Sequence, residues 1–238
     1  MSILVIPDVH GRSFWREAVN KHGNECDKII FLGDYCDPYD DEDITVSDTL
    51  NNFEDIIKFA RENRDKVVLL LGNHCLHYVN ENVGISTRYD EFRASKISKM
   101  YNENKDLFSL AAEENIGGKR FLFTHAGVMR SWYERNKKLI GDELTADNIN
   151  KLLETNEGIL TLSEISKFRT YFSSYKSGSP IWSDVRERAL SDDEDVEGID
   201  FQIFGHTMMK KEHIDKTWAC LDCKKAFVIN DDGTISES

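Results

Sequence analysis

Val67-Val68-Leu69-Leu70-Leu71-Gly72-Asn73-His74-Cys75 is the stretch on which the fold of this chain turns. Five consecutive Val and Leu residues describe a strand buried on both faces, as in a parallel sheet covered by helices. The run stops at a glycine and hands over at once to an amide and an imidazole. The same order of events recurs four times. Residues 3–6 run into Asp8-Val9-His10-Gly11, and residues 28–32 into Gly33-Asp34-Tyr35-Cys36-Asp37. Residues 119–124 end in His125-Ala126-Gly127, and residues 201–204 in Gly205-His206-Thr207.

Between the first three strands lie helical patterns. Phe14, Trp15, Ala18 and Val19 share one face over residues 12–20. Leu50, Phe53, Ile56, Ile57 and Ala60 do so over residues 48–63. Strands joined by helices make parallel βαβ units, whose functional groups collect at the carboxyl ends of the strands. Asp8, Asp34 and Asn73 all fall there.

Further along, residues 92–112 suggest a helix, and residues 132–175 several short polar ones, clearest over 147–153 and 163–172. The stretch from about 130 to 180 is expected as a helical insertion beside the site. Residues 40–43 suggest a solvated loop or the entry to a helix, and the acidic run 191–197 a mobile loop. Residues 218–221 and 226–230, with a turn at Asp231-Asp232-Gly233, suggest antiparallel strands completing a sheet. Nothing divides the 238 residues, so one domain over 1–238 is expected.

Composition narrows the function. Apolar content of 40% and charged content of 31% suit a globular protein. No segment approaches the roughly 18 to 20 apolar residues of a membrane span. The first residues lack a basic leader, and the five cysteines are odd in number and scattered, so a cytoplasmic location is expected. Cys220 and Cys223 have CxxC spacing without a second pair, and are taken as structural. A net charge of −13 argues against general affinity for nucleic acid or anionic membrane.

An Asp, His and Asn set without clustered thiolates suits Mn, Fe, Zn, Ni or Co rather than a structural zinc knot. There are more donors than one ion needs. An aspartate bridging two ions, as Asp34 is placed to do, would hold them about 3.5 to 4 Å apart.

Taken in order, Asp8-Val9-His10-Gly11, Gly33-Asp34-Tyr35-Cys36-Asp37, Gly72-Asn73-His74, His125-Ala126-Gly127 and Gly205-His206-Thr207 resemble the motifs of the calcineurin-like metallophosphoesterases. The likeness is greatest to the phosphoprotein phosphatase branch, which includes small bacteriophage-type phosphatases. Ile181-Trp182-Ser183-Asp184 resembles that branch's Trp-Ser-Asp segment. The resemblance implies a four-layer αββα sandwich of two mixed sheets flanked by helices. It implies two divalent metal ions, Mn²⁺ first, with Fe, Zn, Ni or Co as alternatives. Asp8 and His10 with bridging Asp34 would hold one; Asn73, His125 and His206 with Asp34 the other. His74 would be the general acid, oriented by Asp37, in a hydrolysis driven by a metal-bridging hydroxide. The implied substrate is a phosphate monoester, with phosphoserine or phosphothreonine on proteins as a candidate. A diadenosine tetraphosphate-type hydrolase is the alternative, suggested by the likeness of Gly72-Asn-His-Cys-Leu-His77 to GNHDLH. A phosphodiesterase or nuclease comes next, and a non-catalytic scaffold last.

The chain also departs from the pattern. Pro38 stands where the branch places a phosphate-holding arginine, Cys75 where it places a glutamate, and Met208 where GHxH relatives have a further ligand. Arg12, Arg88, Arg186 and Arg188 are the candidate replacements for the arginine, with Arg186 and Arg188 preferred.

Overall fold

The protein is described by a computed structural model covering residues 1–84, 86–175, 177–190 and 194–238. It comprises two compact units. The first contains Met1–Ser109 and Lys224–Ser238, the second Leu110–Cys223.

The first unit is built on βα alternation. It runs β1 (Ile3–Ile6), α1 (Phe14–His22), β2 (Lys28–Phe31), α2 (Val46–Glu62), β3 (Val67–Leu70), α3 (Asn73–Val79), α4 (Ala94–Glu103) and β4 (Phe108–Ser109). β1, β2, β3 and β4 pair in parallel, with Ile3 opposite Lys28, Ile29 opposite Val67 and Leu69 opposite Phe108. α2 starts at a capping box in which Thr45 Oγ1 accepts the Asp48 N–H at 3.1 Å and Asp48 Oδ2 accepts the Thr45 N–H at 3.2 Å. Its buried face carries Leu50, Phe53, Ile56, Ile57 and Ala60, the set read from the sequence. Phe53 stacks on Tyr35 at 5.3 Å and meets Tyr101 at 4.8 Å, forming the aromatic part of the core.

The second unit holds β5 (Ala111–Ile116), β6 (Lys119–Thr124), α5 (Arg130–Ile140), α6 (Ala146–Asn150), α7 (Asn156–Leu162), α8 (Val185–Ala189), β7 (Phe201–Phe204), β8 (His213–Ile214) and β9 (Trp218–Cys220). Its sheet has the order β5-β6-β7-β9-β8, with β6, β7 and β9 parallel. The chain then returns to the first unit as β10 (Phe227–Ile229) and β11 (Ile235–Glu237), completing the order β11-β10-β1-β2-β3-β4. Each unit thus contributes one mixed sheet with its helices.

Several expectations need correction. Residues 92–112 form α4 and then two strands, because Phe108 pairs with Leu69 and Ala111 with Thr124. Such long-range partners override local helical propensity. Residues 163–172 are turns: Ser166 Oγ accepts the Phe168 N–H and Thr170 Oγ1 the Phe172 N–H. Hydroxyls that bond nearby backbone compete with a helix. The two tail strands pair antiparallel as expected but lie in different sheets: β10 runs antiparallel to β1 and β11, whereas β9 runs antiparallel to β8 and parallel to β7. Glu42, in the stretch read as solvated, is drawn in by Arg12 and Lys224. In the acidic run 191–197, Ser191, Asp192 and Asp193 lie outside the described residues. Beyond them Glu194 is buried and accepts from the Ser131 N–H at 2.9 Å.

Candidate functional site

Because β1, β2 and β3 run parallel, their carboxyl ends open on one edge of the first sheet. Past β1 and β2 the pairing continues through the loops. Val9, His10 and Gly11 donate their N–H groups to the carbonyls of Gly33, Asp34 and Tyr35 at 3.3, 2.6 and 3.0 Å. This ladder sets Asp8 and His10 against Asp34. Gly11 sits at φ +78°, and a Cβ there would come within 2.8 Å of Thr49 Oγ1, so the turn needs glycine. Gly72 behaves differently from a turn glycine. Its backbone is extended, and the change of direction comes from α3 beginning at Asn73.

Asp8, His10 and Asp34 are all buried, and one donor atom from each lies within 4.8 Å of the others. His10 Nδ1 donates to Cys36 O at 3.0 Å, which leaves Nε2 as the lone-pair nitrogen, 3.6 Å from Asp34 Oδ2. Burial, partly offset by Asp34, pushes the His10 pKa down to about 3, so the ring is neutral. A neutral imidazole oriented by a carbonyl behind it, beside two buried carboxylates, is the donor set a divalent cation takes. The residues therefore fit the metal.

Asn73 Nδ2 donates to Ser86 Oγ at 3.3 Å, which identifies Oδ1 as the ligand-type atom of its amide. The backbone N–H of His74 donates to Asp34 Oδ1 at 2.9 Å. The His74 ring packs edge-on to His10 at 5.2 Å, while its Nδ1 donates to Asp37 Oδ2 at 2.8 Å. Asp37 Oδ1 also accepts the Tyr78 hydroxyl at 2.6 Å, and His77 Nε2 lies 2.9 Å from Oδ2. Burial opposes the Asp37 charge, but these donors outweigh it and hold the carboxyl below its ordinary value.

In the second unit the parallel ends of β6 and β7 bring His125 and His206 together, with Nε2 and Nδ1 facing at 3.1 Å. Gly205 N–H donates to His125 O at 2.8 Å. The Trp-Ser-Asp segment braces both loops. Ser183 Oγ donates to the carbonyls of Ala126 and Gly127, and Trp182 packs edge-on to His206 at 5.7 Å. Arg169 ties Asp184 to the His206 loop, through Asp184 Oδ2 at 2.8 Å and Thr207 Oγ1 at 2.6 Å. Met208 is half-exposed.

Backbone strain concentrates at these positions. Among the described residues seven non-glycines have positive φ. Five of them are His10 (45°), Asp34 (50°), Asp37 (59°), Arg88 (61°) and His206 (65°). Such conformations cost of order 1 to 3 kcal/mol each and persist where function holds them.

The four arginines separate by their partners. Arg12 forks onto Glu42 at 2.7 and 3.0 Å. Arg186 is taken up by Asp184 and by Phe168 O at 2.6 Å. Arg188 is buried, donating to Val128 O at 2.6 Å and to Asp195 at 2.9 Å. Among the described residues Arg88 has no carboxylate as a hydrogen-bond acceptor. It stacks on Tyr39 at 3.7 Å, donates from Nε to Asp37 O at 3.2 Å, and brings Nη2 to 3.4 Å from His74 Nε2. The preferred arginines of the sequence reading, Arg186 and Arg188, thus each meet a carboxylate, as Arg12 does.

A family model described as calcineurin-like phosphoesterase matches residues 1–210. The chain is a calcineurin-like phosphoesterase. Metallophosphoesterases of this kind are phosphoric ester hydrolases that use divalent metals. No curated protein matches the chain by sequence. Among solved structures it is similar to a serine/threonine phosphatase from Saccharomyces cerevisiae, itself described as similar to human phosphatase PP5. That match has 13% identity, covers 100% of this chain and 79% of the other, and has a TM-score of 0.53. A second likeness is to an archaeal phosphodiesterase, at 11% identity over 100% of this chain and 99% of the other, with a TM-score of 0.41. At 13% identity the first likeness speaks for the fold alone. No helix among the described residues is long and apolar enough to cross a membrane.

Proposed function

We propose that this phosphoesterase is a dinuclear metal-dependent phosphomonoesterase, with Mn²⁺ as the leading metal and phosphoserine or phosphothreonine within its substrate range. The observation that carries this reading is the pairing of a buried Asp8–His10–Asp34 donor cluster with an adjacent imidazole, His74, that is oriented by Asp37. Within the first unit the metal donors are Asp8, His10, Asp34 and Asn73; within the second, His125 and His206 form an imidazole pair of the same donor type. Bound divalent ions would bring the pKa of water towards neutrality and offset the charge on phosphate oxygens.

The protein's own residues do the rest. With Nδ1 committed to Asp37, His74 presents Nε2 as the atom that delivers a proton to the departing oxygen, an effect worth about 10² to 10⁴ in rate. Arg88 offers a planar set of N–H donors next to that atom, suited to a phosphate oxygen, and takes over the task left open by Pro38. A cytoplasmic setting is part of the proposal; the buried thiols of Cys26, Cys36 and Cys75 agree with a reducing compartment.

Purified protein loaded with Mn²⁺ should bind two ions per chain, hydrolyse p-nitrophenyl phosphate and lose that activity on chelation. No turnover with Mn, Ni, Co or Zn would sink the enzyme reading. Faster turnover of bis-p-nitrophenyl phosphate or diadenosine tetraphosphate would replace the substrate class. For His74→Ala the expected outcome is retained metal and lost turnover, and loss of metal would instead make His74 a ligand.

A further inference from the structure

Helix α3 delivers more to Asp37 than a proton donor. Residues 74, 77 and 78 stand at i, i+3 and i+4, so they share one face of the helix. All three side chains reach the Asp37 carboxylate: His74 Nδ1 donates to Oδ2 at 2.8 Å and Tyr78 Oη to Oδ1 at 2.6 Å, while His77 Nε2 lies 2.9 Å from Oδ2, off the line of a hydrogen bond.

Both additional partners are held from behind. The Ser86 N–H donates to His77 Nδ1 at 3.1 Å, which puts the proton of the neutral ring on Nε2, the atom facing Asp37. The Asp90 N–H donates to Tyr78 Oη at 2.9 Å, so the phenol hydrogen is directed to Asp37. The Tyr78 ring stacks on Tyr89 at 4.8 Å and 20°. Donor atoms of Asp37, His74 and His77 lie within 4.8 Å of one another, but this is no third metal site. A cation on His77 Nε2 would require a proton on Nδ1, opposed to the Ser86 N–H, donor against donor.

We propose that His77 and Tyr78 are positioning residues that lock the Asp37 carboxylate and thereby fix the plane of the His74 ring. The proposal rests on the reading of His74 as general acid. A carboxylate with one partner can swing about its terminal torsion and take the imidazole with it; held on both oxygens it cannot. Misplacing a reacting group by about 1 Å can lower a rate about 10²-fold, so partial loosening should be felt where the proton matters most.

The test uses the metal-loaded chain, Tyr78→Phe and His77→Gln, and monoesters ranging from p-nitrophenyl to alkyl phosphate. Tyr78→Phe keeps the stacked ring and removes only the hydroxyl, and His77→Gln retains an N–H donor. For Tyr78→Phe, kcat should fall about tenfold on alkyl phosphate and less than about twofold on p-nitrophenyl phosphate. Metal content should be unchanged. His77→Ala should show a steeper dependence on the leaving group, which His77→Gln restores. In the metal-free chain, ¹⁵N NMR should find His77 protonated at Nε2 and His74 at Nδ1. Uniform loss across the leaving groups, or His77 protonated at Nδ1, would overturn the proposal. A flat profile for His74→Ala removes the general-acid reading and the lock with it. A steep profile there, with flat profiles for Tyr78→Phe and His77→Ala, overturns the lock alone.

Discussion

Arg88 in the first unit and Arg188 in the second are both cations near residues that carry the family's motifs, yet they differ in what surrounds them. Arg188 is buried, its charge met by Asp195 and its fork filled by Val128 O. Arg88 lies flat on Tyr39, bonds a carbonyl, and faces an imidazole. An arginine already matched to a carboxylate has little to gain from a phosphate. One held by an aromatic face and a neutral acceptor keeps its charge for an anion. The location of the counter-charge, more than the distance along the chain from a motif, separates a binding arginine from a structural one.

That contrast can be broken in four ways. Arg88→Ala should lower kcat/KM for a phosphate monoester about 10²- to 10³-fold with metal content unchanged, read from steady-state kinetics. An unaltered kcat/KM would remove Arg88 from the site. The second way lies in α8, where burial pushes the Glu187 carboxyl up to about 7. Its folded pKa exceeds the unfolded value, so the folded state binds the extra proton. Stability is therefore full below about pH 4.5 and falls, on the order of 3 kcal/mol, as pH rises to about 7. Glu187→Gln lacks that dependence, and its melting temperature relative to wild type should climb between pH 5 and pH 8. Arg188→Ala should destabilise by about 2 kcal/mol through lost packing and lost hydrogen bonds, leaving kcat/KM of the folded enzyme unchanged. Arg186→Ala should do least. Its side chain is half-exposed and Asp184 keeps Arg169, so thermal melts should shift by less than about 1 kcal/mol.

The family was legible in the sequence, and so was the placing of Asp8, Asp34, Asn73, His125 and His206 at strand ends, because apolar runs followed by Asp, His or Asn are local patterns. Strands β1, β2, β3, β6 and β7 appear where the runs place them, since Val, Ile, Leu and Phe buried on both faces have few alternatives. The arginines were not legible in this way. Choosing among Arg12, Arg88, Arg186 and Arg188 depends on which carboxylate each one meets, and those partners come from other segments. Arg12 and Glu42 are 30 residues apart, and Arg88 and Asp37 are 51 apart. His77 and Tyr78 fall between these cases. Their helical spacing from His74 is visible in the sequence, but the carboxylate they share arrives from the β2 loop. The two strands within 92–112 were hidden for the same reason: each takes its identity from a partner strand elsewhere.

Cys75 directly follows His74, at the place where the phosphatase branch that the motifs resemble has a glutamate. Its sulfur is sealed from solvent and accepts the Asp34 N–H at 3.2 Å, and burial, reinforced by the Asp34 charge, pushes its pKa up to about 12. Oxidants and alkylating agents attack the thiolate, and at neutral pH this one is almost wholly protonated as well as out of reach. The sulfur beside the donor cluster is therefore chemically silent, and peroxide or iodoacetamide would have to open the end of β3 before they could touch it.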